Sequence, residues 1–163
     1  MKFLNSGEKV FGKIIRNYNQ AYYDQIVLET YGALQTYLPK DLKGFGLDNG
    51  QLFQARYLPD SSDLVFVQIL VSGPIELSGY RGSFFLDDGE KYQKLEAYYK
   101  SANIDGYKRS KFYKTFIVTL KTALTGDCGV KLHSKIEKLP YSEQALIGLL
   151  ETYYTCQSTA FQV

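Results

Sequence analysis

The sequence predicts an α+β protein: a small five-stranded β-barrel over residues 1–88, followed by a helical C-terminal region or appendage over residues 89–163. Three observations carry this expectation. Short runs rich in Val, Ile, Tyr and Phe alternate with Gly, Pro, Asn and Asp clusters up to residue 88, which is strand-and-turn chemistry. From residue 91 the apolar spacing becomes helical. The chain has 163 residues, 45% of them hydrophobic and 22% charged, enough for one ordinary domain or two small ones with a real core.

The elements are justified in order. Lys9–Ile15 is a β-prone run ended by Asn17, Asn19 and Gln20. Tyr22–Thr30 is a second, and Tyr31-Gly32 a turn. Ala33–Leu38 is a third strand, closed by Pro39. Lys40–Gly50, with Gly44, Gly46 and Asp48-Asn49-Gly50, reads as a loop. Gln51–Leu58 is a fourth strand, followed by the turn Pro59-Asp60-Ser61-Ser62-Asp63. Leu64–Val71, nearly all apolar, reads as a central fifth strand. Residues 72–90 hold Gly73-Pro74, Gly79, Gly82 and Asp87-Asp88-Gly89, and so form a hairpin or an irregular connection.

Helices are expected next. Tyr92, Leu95, Tyr98, Tyr99 and Ala102 fall at helical spacing, and Asp105-Gly106 breaks the segment. Phe112, Tyr113, Phe116, Ile117, Leu120 and Leu124 form a second stripe, ended by Thr125–Gly129. Leu132, Ile136 and Leu139 permit a short third helix. Ser142 is placed to cap a last helix with the stripe Leu146, Leu149, Leu150 and Tyr153.

Charge is unevenly distributed. The net +2 divides into −3 over residues 1–90, +6 over residues 91–121 and −1 over residues 122–163. The basic block is also aromatic, with Tyr92, Tyr98, Tyr99, Tyr107, Phe112, Tyr113 and Phe116. Cations neutralise phosphates and rings stack on unpaired bases, so this pairing suits single-stranded nucleic acid. The competing reading is a solvated helix face whose aromatics turn inward.

Residues 7–70 resemble the S1-type oligonucleotide-binding (OB-fold) barrel. Gly7-Glu8-Lys9-Val10-Phe11-Gly12-Lys13-Ile14 is similar to that family's first strand, and Asp24-Gln25-Ile26-Val27-Leu28 to its second. Tyr37-Leu38-Pro39-Lys40-Asp41-Leu42 resembles the third strand and the start of its connection, and Asn49-Gly50-Gln51 the turn before the fourth. Two departures stand out. The Phe-Gly-x-Phe entry to strand two is replaced by Tyr22-Tyr23-Asp24-Gln25-Ile26, and the frequent His after strand three by Lys40. The resemblance implies oligonucleotide binding on the face of strands two and three. Tyr23 and Tyr37 would then stack on bases, with Lys13, Arg16, Arg56 and Tyr57 beside them. The resemblance ends before residue 88; from the basic block instead, Lys108, Arg109, Lys111 and Lys114 would extend the phosphate track.

Chemistry is not expected. His133 is the single imidazole, and no motif frames it or its pairing with Cys128, five residues away. Asp87-Asp88-x-Glu90 could hold a divalent ion, but adjacent acids beside Gly89 more readily make a turn. Gly44, Gly46 and Gly50 lack phosphate-loop spacing. Cys128 and Cys156 are expected as free buried thiols, with a disulfide as the alternative.

No apolar run reaches the roughly 20 residues of a membrane span. The start Met1-Lys2-Phe3-Leu4 resembles a signal peptide until Asn5-Ser6-Gly7-Glu8-Lys9 interrupts it. The expectation is therefore a cytoplasmic, cofactor-free, non-enzymatic protein that binds single-stranded DNA or RNA and no membrane. The alternative is a protein-interaction or assembly component, with a protein partner or as a homo-oligomer, that uses a Tyr-rich interface.

Overall fold

The computed structural model describes residues 2–4, 9–15 and 22–163. Among them are thirteen strands in three open sheets, and three helices. No sheet closes on itself, so the expected five-stranded barrel is not formed. The chain divides into two compact units: Met1–Leu70 with Ser78–Gly82, and Val71–Leu77 with Ser83–Val163.

The first unit is built on β1 (Lys2–Leu4), β2 (Lys9–Val10), β3 (Lys13–Ile15), β4 (Ile26–Thr30), β5 (Ala33–Tyr37), β6 (Leu42–Gly46), β7 (Leu52–Tyr57) and β8 (Leu64–Val71). Strands β2, β1, β6, β7 and β8 lie side by side in that order, and β3, β4 and β5 form a separate meander. All these pairings are antiparallel. The segment expected as a loop, 40–50, contains the strand that removes the barrel. β6 pairs with β1 on one side and β7 on the other. Gly44 permits this, because a side chain there would collide with the Phe53 carbonyl oxygen on β7.

Why these residues make this sheet follows from their faces. Phe45 and Phe53 sit opposite one another in the β6–β7 register. Their rings stack at 4.7 Å, and Phe66 meets Phe45 edge-on at 5.0 Å. Ile26 from the meander and Leu42 complete the buried cluster, with Tyr22, Tyr23 and Tyr37 packed against it. The Phe66 N–H donates to the Tyr23 carbonyl at 2.8 Å and ties the two sheets of this unit together.

The second unit holds the start of β9 (Glu76–Tyr80), then β10 (Ser83–Asp87), β11 (Tyr92–Leu95), β12 (Ala97–Ile104) and β13 (Tyr107–Lys114). It also holds α1 (Phe116–Ala123), α2 (Gly126–Glu137) and α3 (Glu143–Gln157). β10 pairs with β11, and β12 with β13, both antiparallel. Tyr92–Leu95, Ala97–Ile104 and Tyr107–Lys114 are therefore strands, not the expected helices. Helix begins only at Phe116, where Phe116, Leu120 and Leu124 are buried.

The last helix matches its expectation. Ser142 occupies the N-cap in an extended conformation, and Leu146, Leu149, Leu150, Tyr153 and Tyr154 form the buried stripe. Two tyrosines fasten the helices to the strand segments of this unit. Tyr141 donates to the Leu95 carbonyl at 2.7 Å and accepts from the Phe84 N–H at 3.3 Å. Tyr154 donates to the Ile75 carbonyl and accepts from the Ile75 N–H at 2.7 Å. Burial raises both phenols above their ordinary ionisation range.

The cysteine expectation is also corrected. Cys128 on α2 and Cys156 on α3 form a disulfide with Cα atoms 5.9 Å apart. Cys156 is exposed rather than buried. The antiparallel run of α2 and α3 brings together two residues that their 28-residue separation left without a visible link.

Candidate nucleic-acid interface

The basic, aromatic block forms a two-stranded ribbon. Eight register pairs run from Ala97↔Lys114 to Ile104↔Tyr107. The connection is Asp105-Gly106, with φ of 53° and 79°. Two successive positive φ values are the signature of a tight hairpin turn, and glycine adopts the second at no steric cost. The ribbon pairs with no third strand among the described residues.

Side chains alternate between the two faces of a strand. One face therefore carries Tyr98, Lys100 and Ala102 from β12, with Tyr107, Arg109, Lys111 and Tyr113 from β13. The other carries Ala97, Tyr99, Ser101 and Asn103, with Lys108, Ser110, Phe112 and Lys114. On the first face Tyr98 and Tyr113 stack at 5.4 Å, their planes 14° apart. The Lys111 ammonium lies over the Tyr113 ring at 5.4 Å, a cation–π contact. Tyr107, beside the turn, is 72% exposed. On the second face Tyr99 and Phe112 meet at 4.6 Å, and the Ser101 and Ser110 hydroxyls are 2.7 Å apart.

One pair breaks the ordinary rule for strands. Lys100 and Lys111 are direct register partners on the first face. Like charges opposite one another destabilise an antiparallel pair. Arg109 is two residues further along the same face. No carboxylate is paired with any of the three among the described residues. The three cations and the neighbouring rings leave a positively charged strip facing solvent.

The structure separates the residues picked out from the sequence. Arg109 and Lys111 share the strip. Lys108 lies on the opposite face, and the Lys114 ammonium donates to the Leu139 carbonyl at 3.2 Å. In the first unit Lys13 is exposed on β3, opposite Glu29. Arg16 lies outside the described residues. Tyr23 is half-buried, edge-on to Phe53 at 6.4 Å and to Tyr80 at 5.1 Å. Tyr37 is half-buried against the core cluster, and its hydroxyl donates to Gln35 at 2.6 Å. Arg56 is half-buried and donates to Gln54 at 3.1 Å, while Tyr57 is exposed.

Residues that the selection passed over matter more. Lys100, Tyr98, Tyr107 and Tyr113 stand in the basic block but are not among the residues that the sequence assigns to the binding site. The Asp-Gly pair between two Tyr-rich runs was the signal for a hairpin.

Two residue groups weighed for chemistry are engaged in structure instead. Cys128 is committed to its disulfide, so it is no nucleophile for His133. Asp87 and Asp88 build the turn between β10 and β11. Asp87 accepts from the Gly89 N–H, and Asp88 from the N–H groups of Glu90 and Lys91. Among the described residues no helix is long and apolar enough to cross a membrane. Comparison with protein-family models, with curated proteins and with solved structures finds no match to this chain.

Proposed function

We propose that the protein binds single-stranded nucleic acid along the cationic face of the β12–β13 ribbon. The observation that carries this reading is the Lys100↔Lys111 pair, flanked by Arg109 and by the tyrosines of the same face. Opposed lysines cost stability in the protein alone. A phosphate lying between them removes that repulsion and releases its counterions. The rings of Tyr98 and Tyr107 offer π-faces to bases, and stacking requires those bases to be unpaired. Single strands are therefore favoured over duplex. The Cys128–Cys156 bridge favours an oxidising compartment over the cytoplasm for this activity.

Fluorescence anisotropy with a labelled single-stranded oligonucleotide at low ionic strength tests the proposal. Binding is expected, weaker for a duplex of the same length. Tyr98→Ala and Tyr107→Ala should each weaken it about tenfold, the loss of one stacked base. Lys108→Ala, on the opposite face, should leave it nearly unchanged. Absence of binding to single strands, or equal loss in all three variants, would count against the assignment.

A protein-interaction reading draws on a different observation. β12 and β13 pair only with each other among the described residues, so the outer edge of each strand can template another strand. Lysines on such ribbons also serve to discourage that pairing. A concentration-dependent oligomer in light scattering, with no oligonucleotide binding, would favour this second reading.

A further inference from the structure

Among the described residues the three sheets end in six terminal strands: β11 and β2, β12 and β13, and β3 and β5. Five of these carry at least one lysine, the residue that most often keeps a strand edge from pairing. β5, Ala33-Leu34-Gln35-Thr36-Tyr37, carries no charge and no proline. No position from Thr30 to Pro39 is charged. Ala33, Leu34, Gln35 and Thr36 are all exposed. Large apolar side chains stand in water along the same edge: Tyr31, wholly exposed, Leu34 at 65% and Leu38 at 36%.

The turn decides which backbone groups of β5 point away from β4. Tyr31-Gly32, with φ of 51° and 78°, closes a two-residue hairpin between Thr30 and Ala33. The residues flanking such a turn exchange both hydrogen bonds, and hydrogen-bonded pairs then alternate along the ladder. Ala33 and Gln35 therefore direct their N–H and C=O groups to β4, and Leu34 and Thr36 direct theirs outward. The next outward N–H, that of Leu38, is closed by the Asp41 carboxylate at 2.9 Å. The open edge thus presents four groups, the N–H and C=O of Leu34 and of Thr36, and no strand lies beyond it among the described residues. From this edge we infer that β5 pairs antiparallel with β5 of a second copy of this chain, about a twofold axis at Gln35. Leu34 then lies opposite Thr36 of the second copy, and each such pair exchanges two hydrogen bonds, so all four open groups are satisfied. A twofold sets like beside like, so any charge near Gln35 would meet its own sign. The neutral stretch from Thr30 to Pro39 removes that obstacle. The same register brings Tyr31 of each copy beside Leu38 of the other and covers apolar surface that one copy leaves in water. Two three-stranded sheets become one of six strands. The contact is small, so the dimer is weak and concentration-dependent. No ribbon residue takes part, and the inference stands whether or not the ribbon binds.

Sedimentation velocity of the full chain from about 1 µM to about 1 mM tests it, since weak affinities fall in that range. A reversible monomer–dimer equilibrium is expected. Thr36→Pro removes an outward N–H and leaves the β4 ladder intact, and Leu34→Lys sets two lysines near the axis; each should weaken association about tenfold or more. A thermal melt confirms that both variants fold. Ser110→Pro, at an outward position of the ribbon, should leave the equilibrium unchanged. Gln35→Cys reads the register directly. Opposed residues of a non-hydrogen-bonded pair have Cα atoms about 4.5 Å apart, within disulfide reach. With oxidised glutathione Gln35→Cys should give a covalent dimer, whereas Ala33→Cys, four register positions from its own copy, should not. A chain that stays monomeric throughout leaves the edge to a strand of another protein and overturns the inference. So does an equilibrium unmoved by both edge variants, one abolished by Ser110→Pro, or equal cross-linking at positions 33 and 35.

Discussion

Tyrosine serves several purposes in this chain, and environment decides which. Tyr154 is a structural fastener, its hydroxyl closing on both polar groups of Ile75. Removing that hydroxyl leaves two buried backbone groups unmatched. Tyr154→Phe should therefore destabilise the protein by about 1–3 kcal/mol in a urea titration. The same residue gives the stability an alkaline limit. Burial raises the folded-state ionisation of Tyr154 and Tyr141 above that of the unfolded chain. Their contribution is full below the ordinary tyrosine value near 10, and it is lost as pH climbs through the raised folded values. Tyr154→Phe should reduce that alkaline loss, and an unchanged alkaline profile would show that Tyr154 does not set it. Little of this was legible beforehand. A tyrosine that fastens a helix and one that faces solvent carry the same side chain, and only the partner at residue 75, 79 positions away, separates them.

At the level of elements, legibility followed burial. β8 and α3 have one clear environment each, so an apolar run and a Leu stripe located them. β6 is short, carries Gly44 and Gly46, and looks like a loop until its partners β1 and β7 are known. The ribbon misled for another reason. Hydrophobic periodicity reports which face is buried, and most of this hairpin is exposed on both faces. Tyr92, Leu95, Tyr98, Tyr99 and Ala102 matched a helix by spacing, while the strand preference of tyrosine and the Asp-Gly turn pointed the other way. The turns Tyr31-Gly32 and Asp105-Gly106 share paired positive φ values, yet only the first was read as a turn. The α2–α3 disulfide likewise needed the helices in place. Opening it with Cys128→Ser and Cys156→Ser should cost about 3–4 kcal/mol by the loop-entropy relation for a 28-residue separation. Thiol titration of unfolded, unreduced protein should find no free thiol. Two free thiols would contradict the bridge and restore the cytoplasmic expectation.

Across the whole molecule, the uneven charge of the sequence survives as a local basic stretch and not as a split between units, each of which has a net charge of +1. The +6 stretch of residues 91–121 lies entirely in the second unit, and its ribbon holds Lys100, Lys108, Arg109, Lys111 and Lys114 against the single acid Asp105. The sequence therefore located the basic, aromatic region and its charge, but assigned it the wrong backbone. That error changed which cations act together. On helices the run Lys108, Arg109, Lys111 and Lys114 seemed one track. On a ribbon, alternation sets Lys100, Arg109 and Lys111 on one face and the remaining two lysines on the other. The most direct test of the central claim is the salt dependence of single-stranded oligonucleotide affinity. Three phosphate contacts at about −0.7 each give a slope of log K on log salt near −2 for the native chain. Replacing Lys100, Arg109 and Lys111 together by alanine should flatten that slope toward zero, whereas replacing Lys108 and Lys114 should leave it close to native. An unchanged slope in the triple variant, or no measurable affinity at low salt, would contradict the assignment of this face as a nucleic-acid surface.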